Sequence, residues 1–400
     1  MAELVSAVPA EILAARQASL QEWMAAEGLG AMVVFGQGSS AGTATRSHGN
    51  LRYLADWDSE PAPSALVLPR TGPPHLITAS VFARLMAEDT RRFATAVLGK
   101  GAAFARAILH ALGHAERVCI TGRDEIPLGI WETLAAAGAR DWLDCTAEFA
   151  KRRMVKDAVQ ISFHRRAAAI CDSMFEALGP LAYSGRSAWQ MQVALEALAK
   201  DRGAEYCKTW LTVAPAAGRC HFWRDENARI PQLGDQVLLG IMVLLNGHWG
   251  HALRTAHMGQ PGEAARAMFA TVERMYDGMF ALMRPGAPLR DVNTPFDTEF
   301  RACMERLGDP EEFRFRSGHA LGHSYEDPIG TAEFPQPYDA APALPGPPLL
   351  LQPGMLFELH PNLFVPGIAG ASIGDMVLIR EDGPEVLTRF PRRLAVLTPQ

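Results

Sequence analysis

The residues of this chain best suited to chemistry are imidazoles. His251 stands in Asn246-Gly247-His248-Trp249-Gly250-His251-Ala252-Leu253-Arg254-Thr255. His319 opens Gly318-His319-Ala320-Leu321-Gly322-His323, and His360 lies in Pro353-Gly354-Met355-Leu356-Phe357-Glu358-Leu359-His360-Pro361. A neutral imidazole is a metal ligand, and one with its ordinary pKa of about 6.5 exchanges protons near neutral pH. Three such nitrogens on one ion suit Zn(II), Fe(II), Cu(II), Ni(II) or Mn(II). A buried histidine on its own more often fills a core, bonded to a backbone carbonyl, so the chemistry turns on whether the three meet. His221, in Arg219-Cys220-His221-Phe222-Trp223-Arg224, is suited to general acid–base work, its plain alternative being a surface-loop histidine.

The chain has 400 residues, enough for two domains with separate cores. Apolar residues make up 48% and charged ones 20%, the balance of an ordinary globular protein. The net charge is −6 and no basic stripe is visible, which argues against a nucleic-acid partner. The six cysteines, Cys119, Cys145, Cys171, Cys207, Cys220 and Cys303, form no Cys-x-x-Cys pair. Neither a disulfide framework nor a zinc knuckle is expected, and a reducing cytoplasm is. The first residues lack a basic patch followed by an apolar stretch, so no signal peptide is expected. No run of about 18 apolar residues is present to span a membrane.

The elements that must position these groups are legible in outline. Ala10 to Ala26 carries Ile12, Leu13, Leu20, Trp23 and Met24 at helical spacing, and Gly28 and Gly30 end that helix. Ala31–Phe35 reads as a buried strand. Asn50–Leu54, Ser64–Leu68 and Arg117–Ile120 continue the succession of short apolar segments, punctuated by Pro and Gly. Strands alternating with helices to about residue 150 imply a small α/β domain. A long helix follows through about Leu178, and the domain boundary is placed near residue 152, giving domains 1–152 and 153–400. Helices are expected over Ser187–Lys200, Gly262–Met283 and Arg290–Leu307, and a strand over Asp235–Leu245. The proline-rich stretch from Pro335 to Pro353 reads as an ordered loop or flap.

Together the three histidine segments resemble the core motifs of the pita-bread family of methionine aminopeptidase, prolidase, aminopeptidase P and creatinase. They occur in the family's order and at about its spacing. The helix–strand opening and Asn50–Leu54 look like the N-terminal domain of creatinase and prolidase. The resemblance implies an N-terminal α/β domain followed by an α+β pita-bread domain, and a homodimer.

It also implies where the chemistry has changed. The family holds two metal ions with two aspartates, one histidine and two glutamates. Alignment on Gly247 and Arg254-Thr255 puts Gly240 and His251 at the aspartates. His319 matches the family histidine, His360 the first glutamate and Gly374 the last. The positions of His251, His319 and His360 serve one metal of the pair, while the other relies mainly on the positions of Gly240 and Gly374. The expectation is therefore one divalent metal, foremost Fe or Zn, with Mn, Cu or Ni also suited.

The other candidates follow from the same resemblance. His221 matches the histidine that contacts substrate, and Glu326, in Ser324-Tyr325-Glu326-Asp327, takes the place of the second catalytic histidine. His323 is an extra imidazole on that segment. Trp223, Arg224, Trp249 and Tyr325 are expected to contact substrate, and Arg254 and Asp375 to support the ligands from behind. With four of five ligands changed, ordinary aminopeptidase or prolidase activity is not expected. The reading is an enzyme acting on a small amino-acid-like or C–N bonded molecule, as hydrolase, lyase or O2-using enzyme. The alternatives are a metal-free, creatinase-like hydrolase centred on His221, or a non-catalytic binding protein.

Overall fold

The computed structural model of the chain describes residues 7–60, 62–90, 92–138, 140–215, 228–326, 334 and 347–399. They divide into two compact units, Met1–Arg153 with Gly322–Pro328, and Met154–Leu321 with Ile329–Gln400. Among the described residues no helix is long and apolar enough to cross a membrane.

The first unit runs α1 (Ala10–Ala26), β1 (Ala31–Gly36), α2 (His48–Ala55), β2 (Ser64–Pro69), β3 (His75–Thr78), α3 (Val81–Thr90) and β4 (Thr95–Leu98). It continues with α4 (Ala102–Leu112), β5 (Arg117–Thr121), α5 (Leu128–Ala135), β6 (Asp141–Asp144) and α6 (Thr146–Met154). The six strands form one mixed sheet in the order β4-β3-β2-β1-β5-β6. The central strand β1 is buried along its whole length, as its unbroken apolar run requires. Asn50–Leu54, unlike Ser64–Leu68, is helical. Leu51, Leu54 and Ala55, at helical spacing, are buried in one core cluster with Trp57.

One expectation is overturned here. Cys119 and Cys145 are joined by a disulfide, with Cα atoms 5.8 Å apart. They are 26 residues apart in sequence and no local motif pairs them. The parallel pairing of β5 with β6 sets Cys119 opposite Leu143 and so brings Cys145 alongside.

The second unit contains α7 (Ala158–Ala182), α8 (Ala188–Asp201), β7 (Tyr206–Pro215), β8 (Asp235–Leu245), β9 (His248–Met258), α9 (Glu263–Leu282) and α10 (Thr294–Leu307). The strands β10 (Gly318–Ala320), β11 (Leu356–Leu359), β12 (Asn362–Val365), β13 (Ala369–Ser372), β14 (Asp375–Arg380), β15 (Gly383–Val386) and β16 (Ala395–Leu397) complete it. Capping boxes start α7, where Asp157 and Gln160 bond reciprocally, and α8, where Ser187 and Gln190 do so. The expected helices and the long strand are present; the segment expected over Arg290–Leu307 opens with a 3-10 turn at Leu289–Asn293 before α10.

Two four-stranded sheets, β16-β9-β8-β7 and β10-β11-β14-β15, make up most of the unit's strand structure. Asn246 and Gly247 form a two-residue hairpin between β8 and β9 with φ of 48° and 72°, the positive pair that an Asn-Gly turn supplies. That turn fixes the register: Met242 faces His251 and Gly240 faces Leu253. Ala252 and Ala256 of β9 join the core beneath α7 and α8, so His251 and Leu253 point away from those helices. On β11, Phe357 and Leu359 join the core beneath α9 and α10, which turns Glu358 and His360 to the opposite face. The two sheets meet at an isolated bridge between Leu253 and Gly374.

Candidate metal centre

Alternation thus delivers His251 from β9, His319 from β10 and His360 from the end of β11 to one buried place. Ring centroids are 5.5 Å apart for His251 and His319, 5.8 Å for His251 and His360, and 5.2 Å for His319 and His360. All three are about 2% exposed or less. Sequence reasoning missed the fourth member, Glu358. It lies directly across from His319 in the β10–β11 pairing. Glu358 Oε2 touches His251 Nδ1 and lies 3.4 Å from His319 Nε2 and 3.8 Å from His360 Nε2. The tightest donor group is His251, His319 and Glu358, whose atoms lie within 4.8 Å of one another, with His360 beside it. The signal for Glu358 was its place two residues before His360, since residues two apart on a strand share a face.

The electrostatics follow from burial. Loss of water, with His319 and His360 as like-charged neighbours, holds His251 well below the ordinary imidazole range. Burial, with His319 and Arg316 beside it, does the same to His360. Burial and the charge of Asp375 push the Glu358 carboxyl well up, only partly opposed by Arg254. For His251 and His360 burial thus favours the neutral imidazole, the form that ligates metals. His319 Nδ1 is 2.8 Å from the Ala320 carbonyl, which can only accept, so that nitrogen carries the proton and Nε2 the lone pair.

Arg254 and Asp375 support this arrangement through each other. Arg254 donates to Asp375 Oδ1 at 2.6 Å, to the Gly374 carbonyl at 2.7 Å and to the Phe390 carbonyl at 2.7 Å. Asp375 also accepts from Thr388 at 2.5 Å. Trp249 is fully buried, edge-on to Tyr206 with centroids 5.5 Å apart.

His323 is buried edge-on to Tyr53, and Glu326 pairs with Arg46 at 2.8 Å. Both, with Tyr325, belong to the first unit, where Glu326 lines a cavity of about 330 Å³ with Asn50, Glu125 and Arg153. His221, Trp223 and Arg224 lie outside the described residues, as does most of the proline-rich stretch, 335–346.

A two-ion centre of the family kind does not fit this site. Glycines stand at 240 and 374, and Leu253 is buried in an apolar cluster with Leu238 and Phe364 against Trp210. A Cβ on Gly374 would come within 2.5 Å of Leu253 Cδ1. The chemistry of the four remaining donors, three imidazoles and a carboxylate, fits a single divalent ion.

Comparison with known proteins agrees with this architecture. Residues 162–381 match metallopeptidase family M24, and residues 16–155 match the creatinase/prolidase N-terminal domain. The chain belongs to family M24: an N-terminal α/β domain of the creatinase/prolidase kind followed by a pita-bread domain. The YkvY protein of Bacillus subtilis is 26% identical over 278 residues, 69% of this chain and 72% of that one. "Probable dipeptidase PepE" of Mycobacterium tuberculosis is 27% identical over 248 residues, 61% of each chain. Among solved structures, dipeptidase PepE from Mycobacterium ulcerans superposes with a TM-score of 0.76 at 22% identity, covering 98% of this chain and 100% of that one. The Xaa-Pro dipeptidase from Bacillus anthracis gives 0.74 at 19% identity, covering 96% and 100%. At such identities the likeness is one of fold.

Proposed function

We propose that this protein is a hydrolase acting on a C–N bond of a small, amino-acid-like substrate, with one divalent ion, foremost Fe or Zn, held by His251, His319 and His360. The observation that carries the reading is the convergence of three buried imidazoles beside positions 240 and 374 that offer no donor. Membership of a metallopeptidase family favours hydrolysis over lyase or oxygen chemistry. When bound, such an ion supplies a Lewis acid that polarises a carbonyl and acidifies water.

The chain's own residues do the rest. The Ala320 carbonyl fixes which nitrogen of His319 offers its lone pair. Arg254 ties the Gly374 carbonyl and Asp375 together behind the site, so the strands carrying the donors stay in register. Burial excludes bulk water from the imidazoles. His221 is proposed as the acid–base group. The likeness to proteins named dipeptidases supports a substrate among small peptides and their analogues, and the altered ligands argue against an ordinary aminopeptidase. A homodimer is proposed from the family resemblance.

One observation favours a second reading. The contact of His251 with Glu358 is also the arrangement of an acid–base dyad, which would serve metal-free hydrolysis. Elemental analysis of the purified, tag-free protein for Mn, Fe, Co, Ni, Cu and Zn separates the two. About one metal per chain, lost in His360→Ala, supports the single-ion hydrolase. No metal, even after incubation with Fe(II) and Zn(II), overturns it in favour of the metal-free enzyme.

A further inference from the structure

Gly374 stands at a position from which the family resemblance implies a metal-binding glutamate, yet the space in front of it is not empty. A Cβ on Gly374 would lie 2.7 Å from Glu358 Oε1. The carboxylate of Glu358, reaching in from the neighbouring strand β11, fills the volume that a side chain on residue 374 would enter. We propose that Glu358 supplies the metal carboxylate that residue 374 lacks, so that the ion is held by three imidazoles and one carboxylate moved to another strand. This inference rests on the single-ion reading above.

Three observations support it independently of the family. First, Glu358 is fully buried, its carboxyl faces imidazoles, His251 most closely, and its Oε1 has no hydrogen-bond partner among the described residues. A buried carboxylate left that way is costly, and ligation to a cation is one of the few arrangements that removes the cost. Second, the cation nearest in kind, Arg254, directs its guanidinium to Asp375 and to the carbonyls of Leu253, Gly374, Phe390 and Pro391. Third, the spacings of Glu358 to His319 and His360 suit a shared ion, while its contact with His251 is closer than two ligands of one ion stand. Two donors each about 2.1 Å from one tetrahedral ion stand about 3.4 Å apart. Glu358 Oε2 is 3.4 Å from His319 Nε2 and 3.8 Å from His360 Nε2. The backbone imposes this arrangement, because Glu358 and His360 share a strand face and His319 is cross-strand from Glu358.

The donor set also narrows the metal. A carboxylate among imidazoles suits Fe(II), Mn(II) and Zn(II).

The test is metal binding by the full-length protein, with Zn(II) and Mn(II) as probes and a chelating dye as competitor. Wild type is compared with Glu358→Gln, which keeps the side-chain shape, and with His319→Ala. One ion per wild-type chain, with affinity reduced about 100-fold or more in Glu358→Gln and in His319→Ala, supports the proposal. An ion lost in His319→Ala but held with undiminished affinity in Glu358→Gln overturns the role of Glu358 and leaves the single-ion reading standing. No ion bound by wild type overturns that reading and this inference with it. If Glu358→Gln does not fold, a crystal structure of the Zn(II)-loaded wild type decides: a Glu358 oxygen about 2.0–2.2 Å from the ion supports the proposal, and one beyond about 3 Å overturns it.

Discussion

Arg254 and Asp375 are joined across 2.6 Å with both side chains buried, and through this pair the long β8–β9 hairpin is tied to the strand that follows Gly374. The same guanidinium reaches the Gly374 carbonyl, so the contact between the two sheets depends on it. Removing one partner of a buried ion pair strands the other charge and costs about 3–5 kcal/mol. Asp375→Asn and Arg254→Leu are each expected to lower the midpoint of chemical denaturation correspondingly. The double variant is expected to lose less than the sum of the two, since the partners share one interaction.

Metal binding to the folded state alone stabilises that state. An ion at about 100 times its dissociation constant adds about 2.7 kcal/mol. Adding Zn(II) or Mn(II) is therefore expected to raise the melting temperature of the wild-type protein. His251→Ala, His319→Ala and His360→Ala are each expected to abolish that rise while still showing a cooperative unfolding transition. A rise of the same size in all three variants would refute the three-histidine assignment.

His257, on β9 six residues beyond His251, is buried with its imidazole held down to about 4 by the loss of water. In the unfolded chain the same group titrates near 6.5. The unfolded state therefore takes up a proton first, and stability is lost as pH falls below about 6.5, with no further loss from this group once pH passes about 4. His257→Gln is expected to flatten the stability profile across that window. Urea denaturation at several pH values measures it; parallel profiles for the two proteins would contradict the assignment.

The Cys119–Cys145 disulfide closes a loop of 26 residues within the first unit. Cross-links of this kind stabilise by about 2–4 kcal/mol. Dithiothreitol is expected to lower the melting temperature of the wild-type protein and to leave Cys145→Ser unaffected.

Much of the scaffold was legible because it is encoded locally. The helical spacing of Leu13, Leu20 and Met24, the apolar runs of β1 and β8 and the capping residues of α7 and α8 are short-range signals, and the structure follows them. Asn50–Leu54 shows the limit. Five residues with three apolar side chains suit a strand or a buried helix, and the packing of Leu51 and Leu54 beside Trp57 chose the helix. The Cys119–Cys145 pair escaped for a related reason: the crossover from β5 to β6 erases sequence distance, and no motif records it.

The amino-acid sequence by itself determined the family architecture, the order of the three histidine segments and the absence of carboxylates at positions 240 and 374. Those are properties of residue identity and spacing. Only the tertiary structure decided that Glu358 belongs with the histidines, that Leu253 fills the opposite side, and that His323 and Glu326 engage Tyr53 and Arg46 in the first unit. Each of these depends on strand register across β9, β10, β11 and β14 or on contacts hundreds of residues apart in the chain. A one-residue slip in that register would turn Glu358 from the histidines into the core beneath α9, and nothing local to Glu358 specifies which face it takes.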